Sequence, residues 1–252
     1  MIFTALYGAM WYYYLLDFVF LIILIPAIIF TLIAQSCVRS TYKKYAKVYA
    51  STGLTGAEVA RKILANAGVF DVLVSPIKGS LTDNYNPKTK VLSLSEDVFS
   101  GTSVAALGIA AHEAGHAIQH SEGYFPLTLR SIIVPVTNIG SRIAFPLAIL
   151  GVVIEWFAEQ PGGIGGILIA IGILCYSFAT LFSLITLPVE INASRRARRA
   201  LIAVGALDKG EVKQAGKVLN AAAMTYFAAL AVSLVYLLRF LLIISSMRRR
   251  RD

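Results

Sequence analysis

Charge is scarce in this sequence. Asp, Glu, Lys and Arg make up 15% of the 252 residues while 57% are hydrophobic, and the mean hydropathy is +0.71. Water-soluble domains run closer to about a quarter charged, so the balance excludes an ordinary soluble globule and makes lipid part of the solvent. Cysteine is scarcer still. Cys37 and Cys175 are the only two, too few for a disulfide framework or a cysteine-built zinc site, and both read as packing residues in or beside apolar runs. Internal repeats, low-complexity linkers and nucleic-acid recognition modules are all absent. The formal charge of +9 is therefore assigned to lysines and arginines near anionic lipid head groups, not to a nucleic-acid partner.

What the chain does have is apolar length. Four segments exceed the roughly 20 residues that cross a hydrocarbon core: about Leu6 to Ala34, Ile132 to Phe157, Ile164 to Leu187 and Ala221 to Ser246. The first lacks a basic leader and is too long for a cleavable signal, so it reads as a retained anchor. Asp17 within it is costly in lipid and is expected to face a helix partner or the interface. The resulting division is an N-terminal transmembrane anchor over 1–35, a catalytic region over 36–130 and a transmembrane hairpin over 131–187. A helix over 188–220 carries the third metal ligand, and 221–252 is a C-terminal transmembrane segment with a basic tail. The short turn Gln160-Pro161-Gly162-Gly163 makes spans two and three a hairpin, which returns both polar regions to one face of the membrane. Those two regions hold seventeen of the twenty-three lysines and arginines, which predicts that they are cytoplasmic. The tail Arg248 to Arg251 dissents from that rule, and Arg239 interrupts the last segment.

Within the larger polar region, Thr55-Gly56-Ala57-Glu58 matches a capping box ahead of the amphipathic stretch Val59 to Ala67. Val72 to Val74 and Lys90 to Leu94 read as two short strands in a β-hairpin, around a turn rich in Asp, Asn and Pro from Thr82 to Lys88. Small and apolar residues favour a helix from Ser103 to Ser121.

That helix carries His112-Glu113-Ala114-Gly115-His116, an H-E-x-x-H sequence. Residues four apart on a helix differ by about 40° in direction, so both imidazoles can turn to one metal. Glu113 can reach a water there without being a ligand, as general base and then as general acid toward the leaving amine. The bland alternative is a solvated helix face. All three histidines of the chain lie here at four-residue intervals, His112, His116 and His120. A catalytic zinc wants a third protein ligand and one open position. His120 is rejected, because an unbroken helix carries it about 12 Å along the axis from His112. Glu190 is the better third ligand: it opens the second polar region, on the face shared with the histidines. Ala193, Ser194, Ala197 and Leu201 continue its helical face, and Gly108, Ala111 and Gly115 surround the histidines, so the two helices can approach closely. Ser194 is placed to hydrogen-bond a ligand histidine, and Asn192 to contact substrate or the metal's water. The run Arg195 to Arg199 reads as a membrane-surface anchor. Its arginines, with Tyr85, Tyr124 and Tyr226, are candidates to stabilise an oxyanion.

These residues together resemble a known group. The helix Ala111 to Gln119, the turn Leu81 to Pro87, the strand Val91 to Ser95 and Leu187-Pro188-Val189-Glu190-Ile191-Asn192-Ala193-Ser194-Arg195-Arg196 are similar to the YugP-type family of bacterial membrane zinc metallopeptidases. The resemblance covers nearly the whole chain. It implies a multi-pass protein of the bacterial plasma membrane, zinc as cofactor, proteolytic activity, His112, His116 and Glu190 as ligands and Glu113 as the catalytic residue. The arrangement is also similar to zincins whose third ligand is a glutamate on a later helix. Those commonly carry an aspartate four residues after it, where this chain has Ser194. By the same analogy an edge strand pairs with substrate backbone, and Val91 and Leu92 in Lys90 to Leu94 are the residues expected there.

The fold expected is mainly α, with about four transmembrane helices and a small α+β zincin-like catalytic region. The function expected is a zinc endopeptidase acting on peptide or protein substrates, membrane proteins among them. The alternatives are an intramembrane protease, disfavoured because the motif helix ends in His120, Glu122 and a polar loop, and a non-catalytic membrane scaffold or quality-control adaptor that retains a metal. Such a scaffold has no use for Glu113.

Overall fold

Leu, Ile, Val, Phe and Ala crowd the long segments of the chain, and such residues leave the backbone free to bond only with itself. Helix is the result along most of the length. The computed structural model describes residues 2–157 and 163–248, with the side chains before Phe18, those of Trp156 and Phe240, and those after Leu242 left out of that description. Asp17, the turn residues Gln160 to Gly162 and the arginine tail therefore lie outside the described side chains. The elements run α1 (Ile2–Tyr45), α2 (Gly56–Asn66), β1 (Leu73–Ile77), β2 (Asn84–Asn86), β3 (Val91–Ser95), α3 (Glu96–Phe99), α4 (Val104–Ser121), α5 (Phe125–Phe157), α6 (Ile164–Ala203) and α7 (Lys209–Arg248). Among the described residues, four helical stretches are long and apolar enough to cross a membrane: Phe18–Tyr45, Phe125–Glu155, Ile164–Ala203 and Lys209–Arg239.

The chain packs as two units. Met1–Ile33, Ile133–Leu184 and Phe227–Asp252 form one; Ala34–Ile132 and Ile185–Tyr226 form the other. In the first unit, glycines bring α5 and α6 together. A Cβ on Gly172 would stand 2.8 Å from the Ala144 carbonyl oxygen, and one on Gly140 3.5 Å from the Cβ of Cys175. Small residues at helix contacts are how apolar helices gain close packing without a hydrophobic drive. Cys175 is thus a packing residue as expected, whereas Cys37 is exposed. Arg239 sets its guanidinium 4.2 Å from the centre of the Phe20 ring, an electrostatic partner for a charge inside an apolar run.

The second unit gathers both polar regions. Its start signals work as their chemistry dictates. Thr55 caps α2, accepting from the Glu58 amide while Glu58 accepts from the Thr55 amide. Asp208 and Glu211 exchange the same pair of bonds at the head of α7, at 2.7 and 2.9 Å, and Glu211 also accepts from the Ser51 amide at 2.7 Å. The core is built around α4. Leu107 and Ala110 on it, Leu92 and Leu94 of β3, Val59 and Ile63 of α2 and Leu201 of α6 are all buried in one cluster.

Two strand expectations need correction. Leu73–Ile77 and Val91–Ser95 do form strands, but they pair parallel, in register Leu73 with Val91 through Ile77 with Ser95. They are therefore not the two arms of a hairpin. The segment between them carries β2, which pairs antiparallel with β3. Asn86 turns the chain there, its Oδ1 accepting from the amides of Lys88 at 2.9 Å and Thr89 at 3.4 Å. The sheet order is β1-β3-β2. Val91 and Leu92 thus sit on the central strand, with neighbours on both sides using its backbone groups, and Leu92 is fully buried. Neither residue can take a substrate strand, and the open edges of the sheet belong to β1 and β2.

The ends of α6 and α7 also differ from the expected division. α6 runs unbroken through Pro188 to Ala203, so Glu190 lies on the same helix as the third apolar segment. The turn that separates it from α7 falls at Val204 to Asp208, where Gly205 adopts φ of 63°.

Candidate metal centre

The position of α4 follows from three small residues. A Cβ on Gly115 would lie 2.9 Å from the carbonyl oxygen of Ala193 on α6, and one on Gly108 would lie 3.1 Å from the Cβ of Ala215 on α7. Ala111, between them, has no exposed surface. Backbone approaches this close bring the histidine-bearing face of α4 onto the turn of α6 that carries Glu190.

There the donors converge. His112 Nε2 lies 3.1 Å and His116 Nε2 3.5 Å from the same oxygen, Glu190 Oε2. The ligating atoms of the three residues all fall within 4.8 Å of one another, the grouping of that kind found among the described residues. A tetrahedral zinc with bonds near 2.0–2.1 Å holds neighbouring donors about 3.3 Å apart, so this donor set fits zinc in type and spacing. The two imidazoles stand nearly perpendicular, at 85° with centroids 4.8 Å apart.

The surroundings orient each group. Glu190, only 3% exposed, has its other oxygen, Oε1, bonded by Arg130 Nη1 at 2.9 Å. That pairing answers the cost of burying a carboxylate and turns Oε2 toward the histidines. Ser194 Oγ meets His112 Nδ1 at 3.1 Å, the contact expected of it. His116 Nδ1 meets Gln119 Oε1 at 3.0 Å. Glu113 sits half-buried within the electrostatic reach of His116, His112 and Glu190. Loss of water around its carboxyl pushes it above the usual carboxylate range, against the opposing pull of the two histidines.

The remaining candidates separate cleanly. α4 continues unbroken past His116, and His120 shares a hydrogen bond with the Tyr85 hydroxyl at 2.9 Å, away from the three donors. Asn192 is engaged by protein, since its Oδ1 accepts from Gln119 and from Arg196 at 2.9 and 2.8 Å. The basic run divides. Arg195 and Arg199 are exposed, but Arg196 pairs with Glu122 at 2.7 Å and lies over the Tyr124 ring, so only part of the run is free for lipid. Of the tyrosines, Tyr226 is the one that interacts with Glu190, with Glu113 and Arg130 close by.

A histidine pair and a buried glutamate on facing helices are donors that zinc accepts. The family model described as "Putative neutral zinc metallopeptidase" matches residues 20–245. The chain belongs to this family. The "Putative membrane protease YugP" of Bacillus subtilis (strain 168) is 46% identical over 225 residues, which is 89% of this chain and 96% of that protein. No solved structure matches the chain. The family's name implies zinc, and the relative's name a membrane setting that the four apolar helices match.

Two residues escaped the sequence reading. Arg130 counted there only as one positive charge near a span, and nothing in the sequence tied it to Glu190, 60 positions away. Gln119 had a signal: three residues after His116, it is a polar side chain on a buried helical face, which demands a partner.

Proposed function

We propose that the protein is a zinc-dependent membrane endopeptidase, with His112, His116 and Glu190 holding the metal and Glu113 as general base. The observation that carries this reading is the meeting of both Nε2 atoms on one Glu190 oxygen at 3.1 and 3.5 Å, with Glu113 beside them and outside the donor group. Zinc, when bound, supplies the Lewis acidity that polarises a peptide carbonyl and lowers the pKa of water. Glu113 takes the proton from the attacking water and delivers it to the leaving amine. Its raised carboxyl pKa suits a group that must hold that proton in transit. Arg130 keeps Glu190 turned toward the histidines. Tyr226 is the donor assigned to the developing oxyanion. Charge distribution supports a cytoplasmic catalytic region, and peptides or membrane proteins presented there as substrates.

The test is Glu113→Gln in the purified full-length protein, with zinc content and cleavage of an unstructured peptide measured together. The variant should keep wild-type zinc and lose cleavage by at least about 100-fold, the lower end for a general base. Equal cleavage by the two proteins would sink the enzyme reading and leave a scaffold that retains a metal.

A further inference from the structure

Gln119 is fully buried, and every polar atom of its side chain has a partner. Oε1 meets His116 Nδ1 at 3.0 Å. Nε2 donates to the Val189 carbonyl at 3.0 Å and to Asn192 Oδ1 at 2.9 Å. Val189 and Asn192 flank Glu190 on α6. The amide therefore joins one histidine of the metal centre to the turn that carries the carboxylate.

The directions of these bonds follow from chemistry alone. A backbone carbonyl can only accept, so the group facing Val189 must be the NH2 of Gln119. Arg196 Nε can only donate, and at 2.8 Å it faces Asn192 Oδ1, which makes the Asn192 group toward Gln119 an acceptor as well. Both ends thus fix the Gln119 amide in one orientation, with Oε1 toward His116. Because Oε1 cannot donate, His116 Nδ1 must carry the proton. In the neutral ring the lone pair is then on Nε2, the atom 3.5 Å from Glu190 Oε2. His112 has no such constraint, because its Nδ1 partner is a serine hydroxyl that can donate or accept.

We propose that Gln119 is a positioning residue, which holds His116 as the Nδ1–H imidazole with Nε2 turned to the metal position and ties that ring to the Glu190 turn. Spacing explains why this residue can do it. Three positions after His116 on α4, its side chain lies over the same helical face, and the Gly115–Ala193 approach brings the α6 carbonyl within reach. The inference rests on His116 being a zinc ligand. Partners of this kind are worth about 10–100-fold in metal affinity.

The experiment measures zinc affinity of the full-length protein in detergent, by competition with a chromophoric chelator, alongside the melting temperature of the metal-free protein. Gln119→Leu removes acceptor and donors and should weaken zinc by about 10–100-fold. Gln119→Glu keeps an oxygen for the Nδ1 proton but lacks the amide donors. It should bind zinc more tightly than the leucine variant while melting no higher than it, because its second oxygen faces two acceptors on α6. Wild-type affinity in Gln119→Leu overturns the proposal. So does a Gln119→Glu loss as large as that of Gln119→Leu, since only the tie to α6 would then matter. Should Gln119→Leu fail to fold, 15N-histidine NMR of the zinc-loaded wild type decides: a protonated Nδ1 on His116 supports the proposal, and an unprotonated one overturns it. His116→Ala separates the two levels. Unchanged zinc affinity in that variant removes the ligand reading itself, whereas lost zinc in His116→Ala beside wild-type binding in Gln119→Leu removes only the role of Gln119.

Discussion

Gly115→Ala is the smallest change that should disturb the metal centre from outside it. The new methyl would stand 2.9 Å from the Ala193 carbonyl oxygen, where ordinary contact begins at 3.4 Å. Backbone cannot rotate away as a flexible side chain can, so α4 and α6 must part by about 0.5 Å at that point, an overpacking strain of the kind that costs about 1–3 kcal/mol. Alanine returns roughly 1 kcal/mol of helix propensity, so the net stability loss is about 0–2 kcal/mol and the fold survives. The centre is less forgiving. Glu190 lies one turn from Ala193, and metal–ligand distances tolerate only about 0.2 Å. Zinc affinity should therefore fall by about 10–100-fold, as when a partner that orients a ligand is lost. Gly108→Ala is the matched control: its methyl meets the Ala215 Cβ at 3.1 Å, on α7, which carries no ligand. Chelator competition on both variants, with melting curves beside it, checks the argument. Zinc affinity in Gly115→Ala within twofold of wild type, or an equal loss in Gly108→Ala, refutes the reasoning.

Further outcomes are expected from the same geometry. Glu190→Ala should lose zinc while His120→Ala keeps it, by metal analysis after dialysis; the reverse pattern would overturn the ligand assignment. Arg130→Ala leaves the buried Glu190 without its charged donor and should cost the metal-free protein about 1.5–3 kcal/mol. The deficit should shrink when zinc is added, because the metal supplies the missing positive charge; an identical deficit with and without zinc argues against that pairing role. Tyr226→Phe should lower kcat by about 100-fold with zinc content unchanged, and a wild-type rate would dismiss it as the oxyanion donor. Thr55→Ala removes the cap of α2 and should cost about 1 kcal/mol in thermal unfolding.

The readable parts of this protein were those in which local chemistry decides the outcome. Apolar runs too long for a soluble core had to become long helices, and the Thr55–Glu58 box had to start one. The four-residue step from His112 to His116 had to place two imidazoles on one face, since helix geometry leaves no other result. The continuous path of α4 past His116 likewise kept His120 away from the three donors. What depended on contacts between distant segments was not legible. Both strands flanking the Asn-Pro turn were foreseen, yet the chain pairs β3 antiparallel with β2 on one side and parallel with β1 on the other. With a strand on either side of β3, Val91 and Leu92 lie on the central strand of the sheet. The bond from Arg130 to Glu190 and the amide bridge of Gln119 to Val189 and Asn192 join residues 60 to 73 positions apart, and no local rule links them. The close crossing of α4 on α6, permitted by a missing side chain at Gly115, brings the Gln119 amide to Val189 and Asn192.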